Sequence, residues 1–151
     1  METSQASQNG KNYLLPDRML QSLDEYVALG GLQALKKAVS MPREAVIGEI
    51  KKSGLRGRGG AGFPVAIKWN SISSDPCPTK YVACNATEGE PGTFKDRMLM
   101  RRNPYQLLEG VAIAAHVMKA RKAFIAMKHT FDEAIARTAQ AHKEMTARNA
   151  L

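Results

Sequence analysis

The 151-residue chain predicts an α/β fold with amino-terminal helices and a short parallel sheet. Three observations carry that expectation. Apolar residues recur at helical spacing between Leu23 and Ile50. Residues 81–86, Tyr-Val-Ala-Cys-Asn-Ala, form a nearly continuous apolar run of the kind buried on both faces of a parallel sheet. A helical pattern, a second short strand and a last helix then follow in turn, which is the alternation of an α/β unit.

In chain order, residues 1–12 are rich in Ser, Gln, Asn and Thr and are expected to be a disordered tail, leaving 13–151 as one domain that begins near Tyr13. Leu23, Tyr26, Val27, Leu32, Leu35 and Val39 share a helical spacing that Gly30 and Gly31 split into helix, turn and second helix. Pro42 suits the first turn of a third helix, with Val46, Ile47 and Ile50 on one face and Lys51 and Lys52 near its end. A short helix is expected over 63–69, then a loop over 71–79 containing Pro76 and Pro78. After the strand, Thr93 with Asp96 predicts a capped helix reaching Arg102, and Asn103, Pro104 and Gln106 start another. That helix places Leu107, Leu108, Val111, Ala115 and Met118 on its inner side. A second strand is expected over 123–127, and Thr130 with Glu133 caps a final helix running toward Asn149.

Composition narrows the function classes. The 22 Lys and Arg against 14 Asp and Glu give a net charge of +8, which favours an anionic partner: a nucleotide, nucleic acid, an acidic protein or an anionic membrane surface. Cys77 and Cys84 are too few for a disulfide scaffold, and their spacing fits neither a zinc pair nor an iron–sulfur run, so the chain reads as reduced and intracellular. No apolar stretch approaches the roughly 20 residues of a spanning helix. The amino terminus lacks the apolar core of a signal peptide and the arginines of a presequence. His116, His129 and His142 have no metal-ligand spacing.

Two biased segments carry the chemistry. Residues 54–64 read Gly-Leu-Arg-Gly-Arg-Gly-Gly-Ala-Gly-Phe-Pro. Gly57, Gly59 and Gly62 satisfy a G-x-G-x-x-G pattern, but a helix precedes it where the dinucleotide fingerprint requires a strand. Consecutive glycine amides can still form an anion nest, with Gly60 among them and Arg56 and Arg58 adding charge. A flexible basic loop is the plainer alternative, and an arginine–glycine nucleic-acid segment is disfavoured because those come as many repeats. The second segment, residues 85–93 (Asn-Ala-Thr-Glu-Gly-Glu-Pro-Gly-Thr), leaves the carboxyl end of the first strand, where open α/β sheets bind ligands. Its amide and two carboxylates suit sugar hydroxyls or a ring edge; the alternative is a polar turn with a helix cap.

The run 53–64 followed by Lys68 and Trp69, and then 85–93 with Lys95, Asp96 and Arg97, resembles the NADH-binding flavoprotein subunit of respiratory complex I. The diaphorase subunits of NAD-reducing hydrogenases and formate dehydrogenases share the pattern, and the similarity extends from about Leu23 to the last helix. The resemblance implies an incomplete Rossmann-like FMN-binding domain, corresponding to the amino-terminal portion of the family. It implies an oxidoreductase function in electron transport, in which hydride passes from NADH to FMN and electrons leave singly to iron–sulfur clusters, with this chain inactive alone. The alternative is a non-catalytic nucleotide-binding or interaction remnant with a basic surface. By motif position, Gly57, Gly59 and Lys68 would line the flavin and Asn85 and Glu88 would complete that site, with Arg56, Arg58, Gly60, Gly62 and Thr87 as further cofactor-binding candidates in the two motifs. Phe63 would stack on NADH and Glu90 would hydrogen-bond to it. Taken alone, Lys68 reads as a solvated surface lysine and Phe63 as a core aromatic.

This sequence departs from the family at three places. Thr87 stands where Asp is usual, Val65 and Ala66 replace Thr-Gly, and Ser71 occupies a position where an aromatic residue commonly holds adenine. The family continues with a second glycine- and glutamate-rich motif, a small β domain and a helical domain whose cysteines bind a [4Fe–4S] cluster. Two spaced cysteines do not supply four thiolates, so this chain is expected not to ligate that cluster. An iron–sulfur electron-transfer subunit or a complementary fragment is the expected partner, in a hetero- or homo-oligomer with an otherwise exposed sheet edge covered. Nucleic acid is not favoured, and the expected location is cytoplasmic or peripheral to a membrane complex, without a membrane span.

Overall fold

The computed structural model describes residues 14–151, so the tail expected over 1–12 and the start of order at Tyr13 lie outside the described residues. Helices α1 (Leu23–Ala28) and α2 (Gln33–Val39) are separate, as the glycine pair implies. Gly31 lets the turn between them close against Tyr26, because a Cβ there would stand 2.4 Å from the ring. Helix α3 (Arg43–Ser53) follows Pro42 and ends at Gly54, whose φ of 67° supplies the left-handed cap. Helix α4 (Val65–Ser74) runs further than the sequence predicts, for Ser71 to Ser74 are helical rather than loop. Pro76 forces only its predecessor, Asp75, into extended backbone, so the helix persists up to that residue.

Strand β1 (Lys80–Ala86) pairs in parallel with β2 (Ala120–Met127), Tyr81 opposite Lys122 through Ala86 opposite Met127. Helices α5 (Lys95–Arg102) and α6 (Pro104–Met118) form the crossover between them, and α7 (Asp132–Ala147) closes the order. Lys119 turns α6 directly into β2 at φ 51°. One expectation needs correction: β1 is not buried on both faces. Val82, Cys84 and Ala86 point inward, whereas Tyr81, Ala83 and Asn85 are exposed, because among the described residues the helices pack on one side only.

Helix α6 is the spine of the fold. Its Tyr105 and Leu108 pack with Leu23, Tyr26, Ala141 and Met145; its Val117 and Met118 pack with Val46, Ile47 and Ala66; its Leu107 reaches Ala86, Met100 and Ala134. An α-helix apolar on several sides has to be surrounded, and α2, α3, α4, α5, α7 and both strands all pack against it.

Helix N-termini are satisfied in two ways. Asn103 caps α6 as its sequence predicts, its Oδ1 accepting from the Gln106 amide at 3.3 Å with Pro104 in the first turn. Ser22 caps α1, accepting from the Glu25 amide, and Glu25 accepts in turn from the Gln21 amide at 2.9 Å, close to a capping box. Helix α2 has no local cap, since Leu32 stands at its N-cap with φ 66°. Buried Glu109 of α6 serves instead, accepting from the Leu32 and Leu35 amides at 2.9 and 2.8 Å and from the Tyr26 hydroxyl. Glu144 of α7 likewise accepts from the Leu23 amide at 2.8 Å and the Tyr105 hydroxyl at 2.9 Å. The cap expected at Thr130 is not made, because Phe131 occupies the N-cap of α7 and packs its ring into the core.

Candidate functional site

The glycine-rich segment is a closed loop. Arg56 and Pro64 form an isolated antiparallel bridge, the Gly57 amide donates to the Phe63 carbonyl at 2.9 Å, and the Val65 amide donates to the Leu55 carbonyl at 3.0 Å. An Arg56 Nη1 bond to the Gly62 carbonyl at 2.9 Å braces the loop from inside. Gly60 at φ 105° and Gly62 at φ 59° make the turns that a side chain resists. Between these ties, the amides of Gly59, Gly60, Ala61 and Gly62 find no acceptor among the described residues, and the loop tip is exposed. Such a run of unpaired amides at an exposed tip with alternating backbone hand suits an anion. Arg58 is exposed on the same loop and makes no ion pair among the described residues.

Helix α4 starts where the loop closes and positions Lys68 and Trp69. Lys68 is exposed, and its ammonium makes no hydrogen bond or ion pair among the described residues. Trp69 turns inward onto the cluster that holds Ala66, Val46 and Val117. Phe63 is 53% exposed at the end of the loop, so it is a surface ring rather than a core aromatic.

The second segment is organised around Glu88. Asn85 Oδ1 accepts from the Thr87 hydroxyl at 2.7 Å and its amide at 3.2 Å, which turns the chain off the strand. Glu88 then takes a positive φ of 41°, an uncommon state for a residue with a side chain. Its carboxylate is fully shielded from solvent and accepts from the Asp96 amide at 2.7 Å and from Arg97 Nε at 2.9 Å. It therefore caps α5, a task the sequence assigns to Thr93. Thr93 instead closes the preceding turn through its hydroxyl to the Glu90 carbonyl at 2.7 Å. Burial alone raises the Glu88 carboxyl, but the Asp96 amide and the Arg97 guanidinium and amide together hold it below the usual glutamate range. Glu90 is exposed and its carboxylate makes no hydrogen bond among the described residues.

The structure thus joins Arg56, Gly57, Gly62 and Phe63 within one loop, and Asn85 with Thr87, and Glu88 with Arg97, at the strand exit. No hydrogen bond or ion pair links the two segments directly among the described residues. Sequence reasoning gives no role to Arg97 or Phe131, which lie 5.0 Å apart as cation and ring centroid behind the second segment. No local signal marks that contact, since 34 positions separate them.

The same two segments fall inside a match to a known family, the Nuo51 FMN-binding domain, over residues 50–150. The chain belongs to this family. An NADH-quinone oxidoreductase subunit of Rhizobium meliloti is 44% identical over 135 residues, which is 89% of this chain and 32% of that protein. The NADH-quinone oxidoreductase subunit of Aquifex aeolicus is 50% identical over 104 residues, 69% of this chain and 24% of that one. Among solved structures, an NAD+-reducing [NiFe]-hydrogenase in the H2-reduced state aligns with a TM-score of 0.74 at 32% identity, covering 87% of this chain and 23% of that chain. This Nuo51-family chain therefore spans about a quarter to a third of the length of the relatives it matches. Its mixed α/β architecture agrees with the predicted fold class. No helix among its described residues is long and apolar enough to cross a membrane.

Proposed function

We propose that this chain forms the first half of an FMN- and NADH-binding cradle and works as part of an NADH-oxidising oxidoreductase. The observation that carries the reading is the closed glycine loop, whose unpaired amides and exposed Arg58 lie directly ahead of the helix bearing Lys68. That donor set fits a flavin phosphate: it is cationic, rich in unused N–H groups, and fixed in shape before a ligand arrives. Gly57, Gly59, Gly60 and Gly62 would let the ligand approach the backbone, while Arg58 and Lys68 would balance its charge and Arg56 would hold the loop closed. Asn85 and Thr87 would offer polar side chains at the strand exit, with Glu88 fixing the turn behind them. Phe63, already on the surface, would stack on the nicotinamide nucleotide and Glu90 would accept a hydrogen bond from it.

FMN held by these residues would supply the chemistry they lack, taking a hydride from NADH and releasing its two electrons singly to an iron–sulfur partner. The protein's own work is to orient two flat rings at contact distance, where correct placement supplies most of the rate. Acid–base groups are not required for that step. The open face of the sheet and the net charge of +8 support a further protein, or a complementary polypeptide, as partner. The same open face supports a second reading, a non-catalytic interaction module, which predicts salt-sensitive association with an acidic protein and no flavin requirement.

Titration of the purified chain with FMN, followed by quenching of flavin fluorescence, tests the primary reading. Saturable binding is expected, with Lys68→Met weakening it about tenfold through loss of one charge-assisted contact and Gly59→Ala weakening it about as much through a methyl group in the ligand's path, while Tm stays unchanged. Gly59 is informative because a Cβ there meets nothing within 4 Å, so any loss arises from the ligand side. Absence of binding with excess FMN would remove the reading for the chain acting alone, and binding without NADH-dependent bleaching would confine it to flavin binding.

A further inference from the structure

Arg97 lies outside every residue so far assigned to the ligand, yet it holds both ends of the segment from Glu88 to Thr93. Its Nε donates to Glu88 Oε2 at 2.9 Å and its Nη2 to the Thr93 carbonyl at 2.6 Å. Its guanidinium lies 5.0 Å from the centroid of Phe131, a ring packed against Ala86, Met100 and Ala134. Residues 88–93 are thus held at both ends by one side chain whose own base is the core. The need for such a clamp is visible in the backbone: Glu88 sits at φ 41°, a conformation that persists only where its surroundings enforce it.

We infer that Arg97 is a positioning residue of the proposed cofactor site, locking residues 88–93 in the shape that leaves Glu90 exposed directly after the Asn85–Thr87 turn. Both Glu88 oxygens are engaged by the protein, Oε1 by the Asp96 amide and Oε2 by Arg97, so the geometry of this loop passes through the Arg97 guanidinium. A lysine replaces it poorly, because Arg97 reaches the Glu88 carboxylate and the Thr93 carbonyl from two separate nitrogens of one rigid plane, whereas an ammonium has to serve both from a single point.

The assignment rests on the flavin reading for its ligand but not for its conformational content, and two measurements separate them. Amide hydrogen exchange of Asp96, followed by NMR in the intact chain, reports the clamp without any cofactor. Arg97→Gln is expected to speed that exchange about tenfold or more and to weaken FMN about tenfold, with only a modest fall in Tm, since the shielded Glu88 carboxylate loses its cation but keeps the Asp96 amide. Arg97→Lys should recover the charge but only part of either effect, and Phe131→Leu should mimic Arg97→Gln in weaker form. Unchanged Asp96 exchange in Arg97→Gln overturns the inference. So does faster exchange with unaltered FMN affinity, or a large fall in Tm with fewer binding-competent chains at unaltered affinity. If the unmodified chain binds no FMN, the flavin reading fails while Asp96 exchange still decides whether Arg97 sets the loop.

Discussion

Three glutamates do work that nothing near them in sequence announces. Glu109, Glu144 and Glu88 each cap the N-terminus of a helix to which they do not belong, where free amides and the helix dipole favour a negative charge. Glu109 is buried, and no lysine or arginine pairs with it among the described residues; two amides and the Tyr26 hydroxyl satisfy it instead. These bonds give stability a definite pH dependence. Burial raises the Glu144 carboxyl, but Gln140, the Leu23 amide and the Tyr105 hydroxyl outweigh it, and Glu144 and Glu88 both titrate below the ordinary value of 4.5. A carboxyl with a depressed folded pKa stabilises above 4.5 and loses that contribution as pH falls through its folded value. Tyr26 and Tyr105 shift the other way, raised first by burial and then by their bonds to Glu109 and Glu144. Their contribution is complete below about 10 and is lost as pH rises above it. Urea midpoints across pH should therefore form a plateau that falls below about 4.5 and again above about 10. In Glu144→Gln the acid limb should be shallower; an acid limb of unchanged steepness would exclude Glu144 as a source.

At the scale of elements, the turn between α1 and α2 shows how a backbone position can be fixed by a neighbour. Gly31 is in contact with the Tyr26 ring, and Tyr26 in turn stacks on Tyr105 with centroids 5.6 Å apart. An added methyl at Gly31 has to displace that ring or the turn. Gly31→Ala is expected to cost about 1–3 kcal/mol, the range for overpacking a close contact, read as a lower Tm or urea midpoint. Gly59→Ala, with open space around it, should cost far less stability. The helix boundaries carry a related lesson. Asn103 with Pro104 starts α6 as local chemistry dictates, whereas α7 starts at a position set by Phe131, whose ring is needed in the core and beneath Arg97. Local capping residues decide an end only when packing does not.

For the whole molecule, the two-stranded sheet is the open question the fold poses. Each strand has one hydrogen-bonded neighbour among the described residues, and the outward face carries Tyr81 at 54% and Phe124 at 53% exposure, their rings 6.1 Å apart. Parallel sheets are ordinarily covered on both faces, and unpaired strand edges recruit other chains. Association is the expected consequence. Sedimentation velocity over a range of concentrations should show self-association of the chain alone, and Phe124→Lys should reduce it without changing FMN affinity. A strictly monomeric chain at every concentration would count against a docking role for this face.

Fold class, element order and the two biased segments are legible in the chain before it folds, because each rests on short-range rules: apolar spacing, proline and glycine positions, and motif residues contiguous in the chain. Even the errors there were local in kind, such as the length of α4, where the influence of Pro76 reaches back only one residue. How those segments are held depends on packing. Arg56 braces its own loop, Glu88 leaves the solvent to cap α5, and Arg97 and Phe131 meet across 34 positions, contacts that depend on where α5 and α7 come to lie. The exposure of one sheet face belongs to the same class. An apolar alternation tells which residues prefer burial, but only the packed chain shows what there is to bury them against.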